Sequence, residues 1–379
     1  MTGKKALMLS SVASMIDQFN IPNIRLLQSL GYQVDVAADF TDPGTITAER
    51  AKDLARRLEE MEVKVFDIAI PRSLSPQAVR SAYGKVRKLL AETHYDLIHC
   101  HSPIGGAICR FAAAGERKRG TKVIYTAHGF HFYSGAPLKN WIVYYPIEKA
   151  LSRCTDVLIT INREDYARAK KSFHAGKTLY VPGIGVDTEK IEAGKADGEI
   201  RRSCSIKDGE IMLLSVGELN DNKNHETAVR ALSLLPDRFR YVVVGKGEKT
   251  EALQTLAREL GVGERVRFVG FRNNVCDYYK SADAFVFPSY REGLPVALME
   301  AMAAGLPVVC SRIRGNTDLI DEGKGGFLFA PSDSDELAES IRRLFREDRE
   351  KMGRYNREKI TSFSSRKVQE EMKKIYDMI

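Results

Sequence analysis

FPSYREGLPVALMEAMAAGLPVV, residues 287–309, carries the pattern that decides how this chain folds. An apolar strand end gives way to a charged loop, and VALMEAMAA then runs as a helix toward Gly305 and Pro307, which read as its stop. Leu294-Pro295 puts proline where the first turn begins, because its fixed φ suits that position and its missing N–H is not needed there. A new apolar run starts at Val308. Glu292 therefore falls on the loop before the helix, and Glu300 lies more than a turn inside it.

Outward from this segment, short apolar runs and amphipathic helical stretches alternate to both ends, the pattern of a mostly parallel sheet covered on both faces. Strands are expected over residues 6–9, 33–37, 63–67, 97–99, 123–126, 157–160 and 178–181, then over 211–216, 240–244, 266–269, 284–287, 308–310 and 326–328. The expected fold class is α/β: two Rossmann-like doubly wound domains, 1–185 and 186–363, facing a cleft. The seam is placed in PGIGVDTEKIEAGKADGEIRR, residues 182–202, and a last helix, about 364–379, is expected to cross back onto the first domain. In such sheets ligands sit outside the carboxyl ends of the strands. His101, His128, Gly217, Gly245 and Glu292 all follow strand ends.

Composition sets the bounds. A chain of 379 residues with 44% hydrophobic and 28% charged residues is a globular protein long enough for two cores. No apolar run approaches the roughly eighteen residues of a membrane span. MTGKKALMLSS at the start has too short an apolar stretch for a secretory signal and reads as a first strand. Six scattered cysteines without a C-x-x-C pair argue against a disulfide framework or zinc site and for a reducing compartment, hence the cytoplasm. The net charge of +8 is uneven: residues 1–185 hold 26 Lys+Arg against 17 Asp+Glu, and the remainder 32 against 33. A basic first half suits anionic lipid, a diphosphate or nucleic acid. Solvated helix faces account for any single cluster as well. Nucleic acid is the weakest of these, since no recognition motif accompanies the clusters.

Several motifs point to a binding site. The N–H groups of Gly293 and Leu294 open at the positive end of a helix dipole, where a phosphate is held. SVGELNDNKNH, residues 215–225, leaves a strand and enters a helix that Asn222 or Asn224 is placed to cap. Lys223 near that helix start is disfavoured by the dipole unless an anion neutralises both. The alternative is an exposed surface lysine. Gly245-Lys246-Gly247 lacks both the third glycine of a dinucleotide fingerprint and the Lys-Ser/Thr of a P-loop, so a nucleotide turn and a plain strand–helix turn compete. Backbone near Phe271 and Arg272 is placed to face a nucleobase, with a surface charge as the alternative for Arg272. His128 suits a hydrogen bond to a sugar hydroxyl, whereas His101, before a helix capped by Ser102 with Pro103 first, reads as a buried structural histidine. Two carboxylates beside an anion site suit a ligand that is sugar at one end and diphosphate at the other, a nucleotide sugar. Asp333-Ser334-Asp335 looks like a metal motif, but Asp333 with Glu336 reads as a capping box, and no metal is expected. FHFYSGAPLKNWIVYYPIEKA, residues 130–150, holds the only tryptophan, Trp141, and suits either a membrane-interface or lipid-acceptor surface or ordinary aromatic packing.

At these residues the chain resembles glycosyltransferase family 4, the retaining transferases of GT-B fold, over essentially its whole length. The specific elements are Glu292 and Glu300 with GLP after the first and MAAGLPVVC as the tail, then the VG strand with Lys223. The resemblance implies that Glu292 contacts the donor sugar, Glu300 the ribose, and Lys223 with the Gly293 and Leu294 amides the diphosphate. It also implies that His128 touches the donor sugar, that the donor is a UDP- or GDP-sugar, and that no metal is needed. Two positions depart from the pattern. The first loop, SSVASMIDQFN (residues 10–20), lacks glycine, which leaves Ser10 to Ser14 as candidates there; and Glu218 stands where an arginine is common, which leaves phosphate binding to Lys223, Arg291 or Arg314. The expected function is transfer of a hexose or N-acetylhexosamine from a UDP-sugar to a glycan or polyprenyl-diphosphate-linked acceptor in polysaccharide assembly, at the inner membrane face. A UDP-sugar 2-epimerase and a non-catalytic sugar-nucleotide-binding protein are the alternatives.

Overall fold

The computed structural model describes residues 3–73, 75–196 and 198–379. Among them the first half forms strands β1 (Lys4–Val12), β2 (Tyr32–Asp39), β3 (Lys64–Asp67), β4 (Leu97–His101), β5 (Lys122–Ala127), β6 (Val157–Thr160) and β7 (Lys177–Tyr180). All pair in parallel, in the order β3-β2-β1-β4-β5-β6-β7. The second half repeats the scheme with β8 (Ile211–Val216), β9 (Phe239–Val244), β10 (Val266–Gly270), β11 (Ala284–Phe287), β12 (Val308–Ser311) and β13 (Gly326–Phe329), ordered β10-β9-β8-β11-β12-β13. Both sheets start at a central strand, step outward to one edge and return to build the other. This order puts the topological switch beside the central strand, and loops leaving the strand ends there are the natural ligand sites.

Two compact units result. One holds the residues up to Ile184 together with Val368–Ile379, and the other holds Gly185–Lys367. Within the first unit, the helix Ser365–Asp377 inserts Val368, Met372, Ile375 and Tyr376 into the core formed by β1, β2 and their covering helices. The core of the second unit lies between its sheet and helices such as His225–Ser233 and Ser334–Leu344.

Helix starts depart from expectation in three places. Pro295, with extended ψ of 124°, occupies the cap position, and the helix itself is Val296–Ala304. Ser102 takes the cap position of Pro103–Ala112 with φ of +68°, but its hydroxyl accepts from Ser11 N instead of capping. Asn224, with φ of +51°, precedes His225–Ser233 and likewise makes no side-chain cap. The Asp333 cap does form, accepting from Glu336 N at 2.8 Å, but Glu336 turns its carboxylate to Ala330 N, so only half of the capping box is present.

Candidate functional site

In the second unit the chain leaves β8 through Gly217 and reaches a single 3-10 turn, Asp221–Lys223. Asn220 closes this turn by accepting from Lys223 N at 3.0 Å. Lys223 stands over the Phe287 ring, 5.0 Å from its centroid, and its Nζ lies 2.7 Å from Glu292 Oε1. The counter-charge of Lys223 in this structure is Glu292. The side chains are 21% and 14% exposed, mostly covered but still open to solvent, so another anion can reach the ammonium and compete for it.

The surrounding loops hold that pair in place. The Asn222 carbonyl accepts from Tyr290 N at 2.8 Å, and its amide donates to the Arg291 carbonyl at 3.0 Å. Asn222 thus straps the two loops together and is not a helix cap. Arg314 Nε donates to the Glu292 carbonyl at 3.0 Å. Asn224 donates to the Pro288 and Pro331 carbonyls and accepts from Thr227. Among the described residues, the Gly293 and Leu294 N–H groups find no backbone acceptor, and they precede the helix Val296–Ala304 that carries Glu300. A Cβ on Gly315 would sit 2.4 Å from the Gly293 carbonyl, so that loop must approach with no side chain of its own.

Glu300 accepts from Tyr279 Oη at 2.9 Å. Burial pushes its pKa up against the opposing pulls of Tyr279 and Lys190. Gly217, Gly245, Phe271 and Arg272 follow the adjacent strands β8, β9 and β10. The glycines have a packing reason of their own: a Cβ on Gly245 would lie 1.8 Å from the Gly217 carbonyl, and one on Gly247 2.2 Å from that of Leu219. Phe271 is exposed, and Arg272 bonds its own neighbour's carbonyl and the Tyr278 hydroxyl. Glu218 is exposed and accepts from Asn220.

In the first unit β4 and β5 deliver three histidines. His99 is buried between the Tyr376 hydroxyl and Thr126, each at 2.8 Å, and its ring lies 4.2 Å from that of His101. His101 Nε2 meets the Met8 sulfur, and its Nδ1 lies 3.1 Å from His128 Nε2. Burial holds all three pKa values down, to about 3 for His99, well below the ordinary value for His101, and to about 4 for His128. Neutral imidazole has one donor and one acceptor nitrogen, and a thioether can only accept. His101 therefore carries its proton on Nε2, toward Met8, and its bare Nδ1 accepts from His128 Nε2–H. That leaves His128 Nδ1 as a lone-pair acceptor.

Phe19 and Asn20 line the same small pocket as His128, from a π-helical turn, Ile16–Asn20, whose surplus carbonyl at Met15 is taken by Asn20 Nδ2 at 3.0 Å. Such turns are uncommon and recur at functional sites. The candidates Ser10 to Ser14 lie at the start of the same loop. Ser10, Ser11 and Ser14 are buried, and Ser11 Oγ is occupied by Gly105 N at 3.0 Å.

Comparison with known proteins shows the family of the chain. A sequence model described as Glycosyl transferases group 1 matches residues 197–359, and one described as Glycosyl transferase 4-like domain matches residues 23–183. EpsD of Bacillus subtilis (strain 168), named as a glycosyltransferase, is 37% identical over 382 residues, which cover 98% of this chain and 96% of EpsD. The chain belongs to glycosyltransferase family 4. This family 4 glycosyltransferase is also 32% identical over 268 residues, 68% of each chain, to the UDP-Gal:alpha-D-GlcNAc-diphosphoundecaprenol alpha-1,3-galactosyltransferase of Escherichia coli. Its fold is that of HepE of Anabaena, solved with UDP: the TM-score is 0.78 at 19% identity, over 99% of this chain and 100% of HepE. The glycosyltransferase is thus a GT-B enzyme with two Rossmann-like units. Among its described residues no helix is long and apolar enough to cross a membrane. No three metal-ligating side chains converge there either.

Proposed function

We propose that this glycosyltransferase moves a hexose or N-acetylhexosamine from a UDP-sugar to a sugar hydroxyl on a polyprenyl-diphosphate-linked acceptor, with retention, as a cytoplasmic enzyme working at the inner membrane face. The observation that carries the reading is the Lys223–Glu292 pair beside the unengaged Gly293 and Leu294 amides. A diphosphate arriving there draws the ammonium toward itself and takes the two N–H groups, and the carboxylate released from Lys223 accepts donor-sugar hydroxyls. Glu300, held by Tyr279, takes the ribose hydroxyls. The turns at Gly217 and Gly245 and the backbone at Phe271 and Arg272 border the base. His128 accepts a hydrogen bond from a substrate hydroxyl.

Lys223 and the amides carry the leaving-group charge, with no metal assigned. In the transfer step the bond from the anomeric carbon to the β-phosphate oxygen breaks while the acceptor oxygen bonds to the same face. The acceptor proton passes to the departing phosphate oxygen, so no separate base is required. The E. coli relative's name supports a UDP donor and a lipid-diphosphate acceptor.

Glu292→Gln and Lys223→Ala should each lower transfer at least tenfold to a hundredfold, by about 1.4 to 2.7 kcal/mol of transition-state stabilisation, with thermal stability unchanged. Full activity in either variant would remove the assignment. Sugar isomerisation from donor alone, without acceptor, would favour the epimerase reading.

A further inference from the structure

We propose that a groove on the first unit, between the helices Pro76–Glu92, Pro103–Ala112 and Leu138–Leu151, holds the isoprenoid tail of the acceptor. The inference rests on the lipid-linked acceptor of the preceding reading and supplies the site that reading lacks. The groove encloses about 590 Å³ and is lined almost wholly by apolar side chains, among them Val79, Ile104, Ala107, Phe111 and Ile147. Its one acidic lining residue, Glu148, is neutralised from behind by Arg110 at 2.8 Å and the Tyr125 hydroxyl at 3.1 Å. Among the described residues no bare carboxylate therefore lines the groove.

The outer face of Leu138–Leu151 carries further exposed apolar side chains. Leu138 is 73% exposed and Ile142 66%, and Val143 and Ile147 are exposed beside them; Phe111, across the groove, is 60% exposed. A helix that is apolar on its solvent side as well as its packed side is not a solvated surface helix. Exposed apolar side chains gathered on one helix in this way mark an interaction site.

Two features select a lipid diphosphate over another apolar partner. Arg80 and Arg87 lie with Tyr83 on one face of Pro76–Glu92, at spacings of three and four; both arginines are exposed, and among the described residues neither pairs with a carboxylate. Arg80 lines the groove and Arg87 lies two turns further along the same helix face, and a guanidinium bordering an apolar groove matches a ligand that is anionic at one end and hydrocarbon along its length. The groove also leads toward the chemistry. Pro103 and Ile104 line it and directly follow His101 and Ser102 at the carboxyl end of β4, where His101 meets His128.

The test uses the full-length enzyme and farnesyl diphosphate as a soluble isoprenoid diphosphate, with inorganic diphosphate as control, by calorimetry. The native protein is expected to bind farnesyl diphosphate at least tenfold more tightly than diphosphate. Ala107→Phe, which fills the groove, should erase that preference while stabilisation by UDP is retained. Arg80→Ala with Arg87→Ala, both on an exposed helix face, should weaken farnesyl diphosphate at least fivefold and serves if Ala107→Phe does not fold. Equal affinity for the two probes in the native enzyme would overturn the proposal. So would an Ala107→Phe effect confined to adsorption on phosphatidylglycerol vesicles, which would assign the groove to bilayer acyl chains, or one confined to self-association, which would assign it to a second copy. UDP binding without isoprenoid binding sinks the groove alone; isoprenoid binding without UDP binding sinks the donor-site reading alone.

Discussion

At the scale of single residues the protein sets proton positions with groups that have no titration of their own. Met8 on β1 is fully buried, and its sulfur fixes which nitrogen of His101 is protonated and, through it, which nitrogen of His128 is bare. Met8→Leu conserves volume and should cost less than about 1.5 kcal/mol of stability, but it frees His101 to invert its tautomer. The inversion would convert His128 Nδ1 from acceptor to donor. Nitrogen-15 shifts of the two rings at pH 7 should show Nε2–H in the native protein and mixed tautomers in Met8→Leu, with KM for substrate raised severalfold and kcat less affected. Identical nitrogen shifts in the two proteins would refute the coupling. His128 was legible in the sequence because it ends a strand, whereas Met8 was not, since strand order alone brings its sulfur to His101, which in turn meets His128. The same holds for Lys223 and Glu292. Each reads as a ligand group by itself, but only the folded chain shows that they pair across 69 positions and that Asn222 ties their loops together.

At the scale of elements the strands were the legible part. Central parallel strands covered on both faces are near-continuous apolar runs, and all thirteen expected runs, the shorter edge strands β3 and β7 included, correspond to strands among the described residues. Helix starts were less legible, because Ser102 and Asn224 spend their side chains on neighbouring loops, a tertiary choice that local preference cannot register. Glycines show the same division between local and tertiary causes. Gly84 sits in the exposed interior of Pro76–Glu92 with nothing within 4 Å of an added Cβ, so Gly84→Ala should stabilise by about 0.5–1 kcal/mol. Gly245, with φ of +153°, faces the Gly217 carbonyl, so Gly245→Ala should cost at least about 3 kcal/mol and lower the affinity for UDP. Denaturant midpoints of the two variants moving in the same direction would contradict this account.

At the scale of the whole molecule, buried histidines give stability a pH dependence of definite sign. His99 near 3, His128 near 4 and His225 near 4 all titrate below the ordinary value of about 6.5, and His101 is lowered as well. The unfolded chain therefore binds protons that the folded chain refuses. The contribution is complete above pH 6.5 and drains away as pH falls toward 4, at up to about 1.4 kcal/mol per pH unit for each histidine. Three of the four belong to the first unit, so urea unfolding followed from pH 7 to pH 5 should show its transition falling further than that of the second. Parallel shifts in both transitions would count against it.

The returning helix Ser365–Asp377 has a consequence for biosynthesis. As residues 1–184 leave the ribosome they lack the apolar side chains at Val368, Met372, Ile375 and Tyr376 that complete their core. The whole stretch from 185 to 368 must be translated first, roughly ten to forty seconds at about 5–20 residues per second. Throughout that interval the nascent unit presents an open hydrophobic seam to chaperones and proteases, so the part made first is the part finished last.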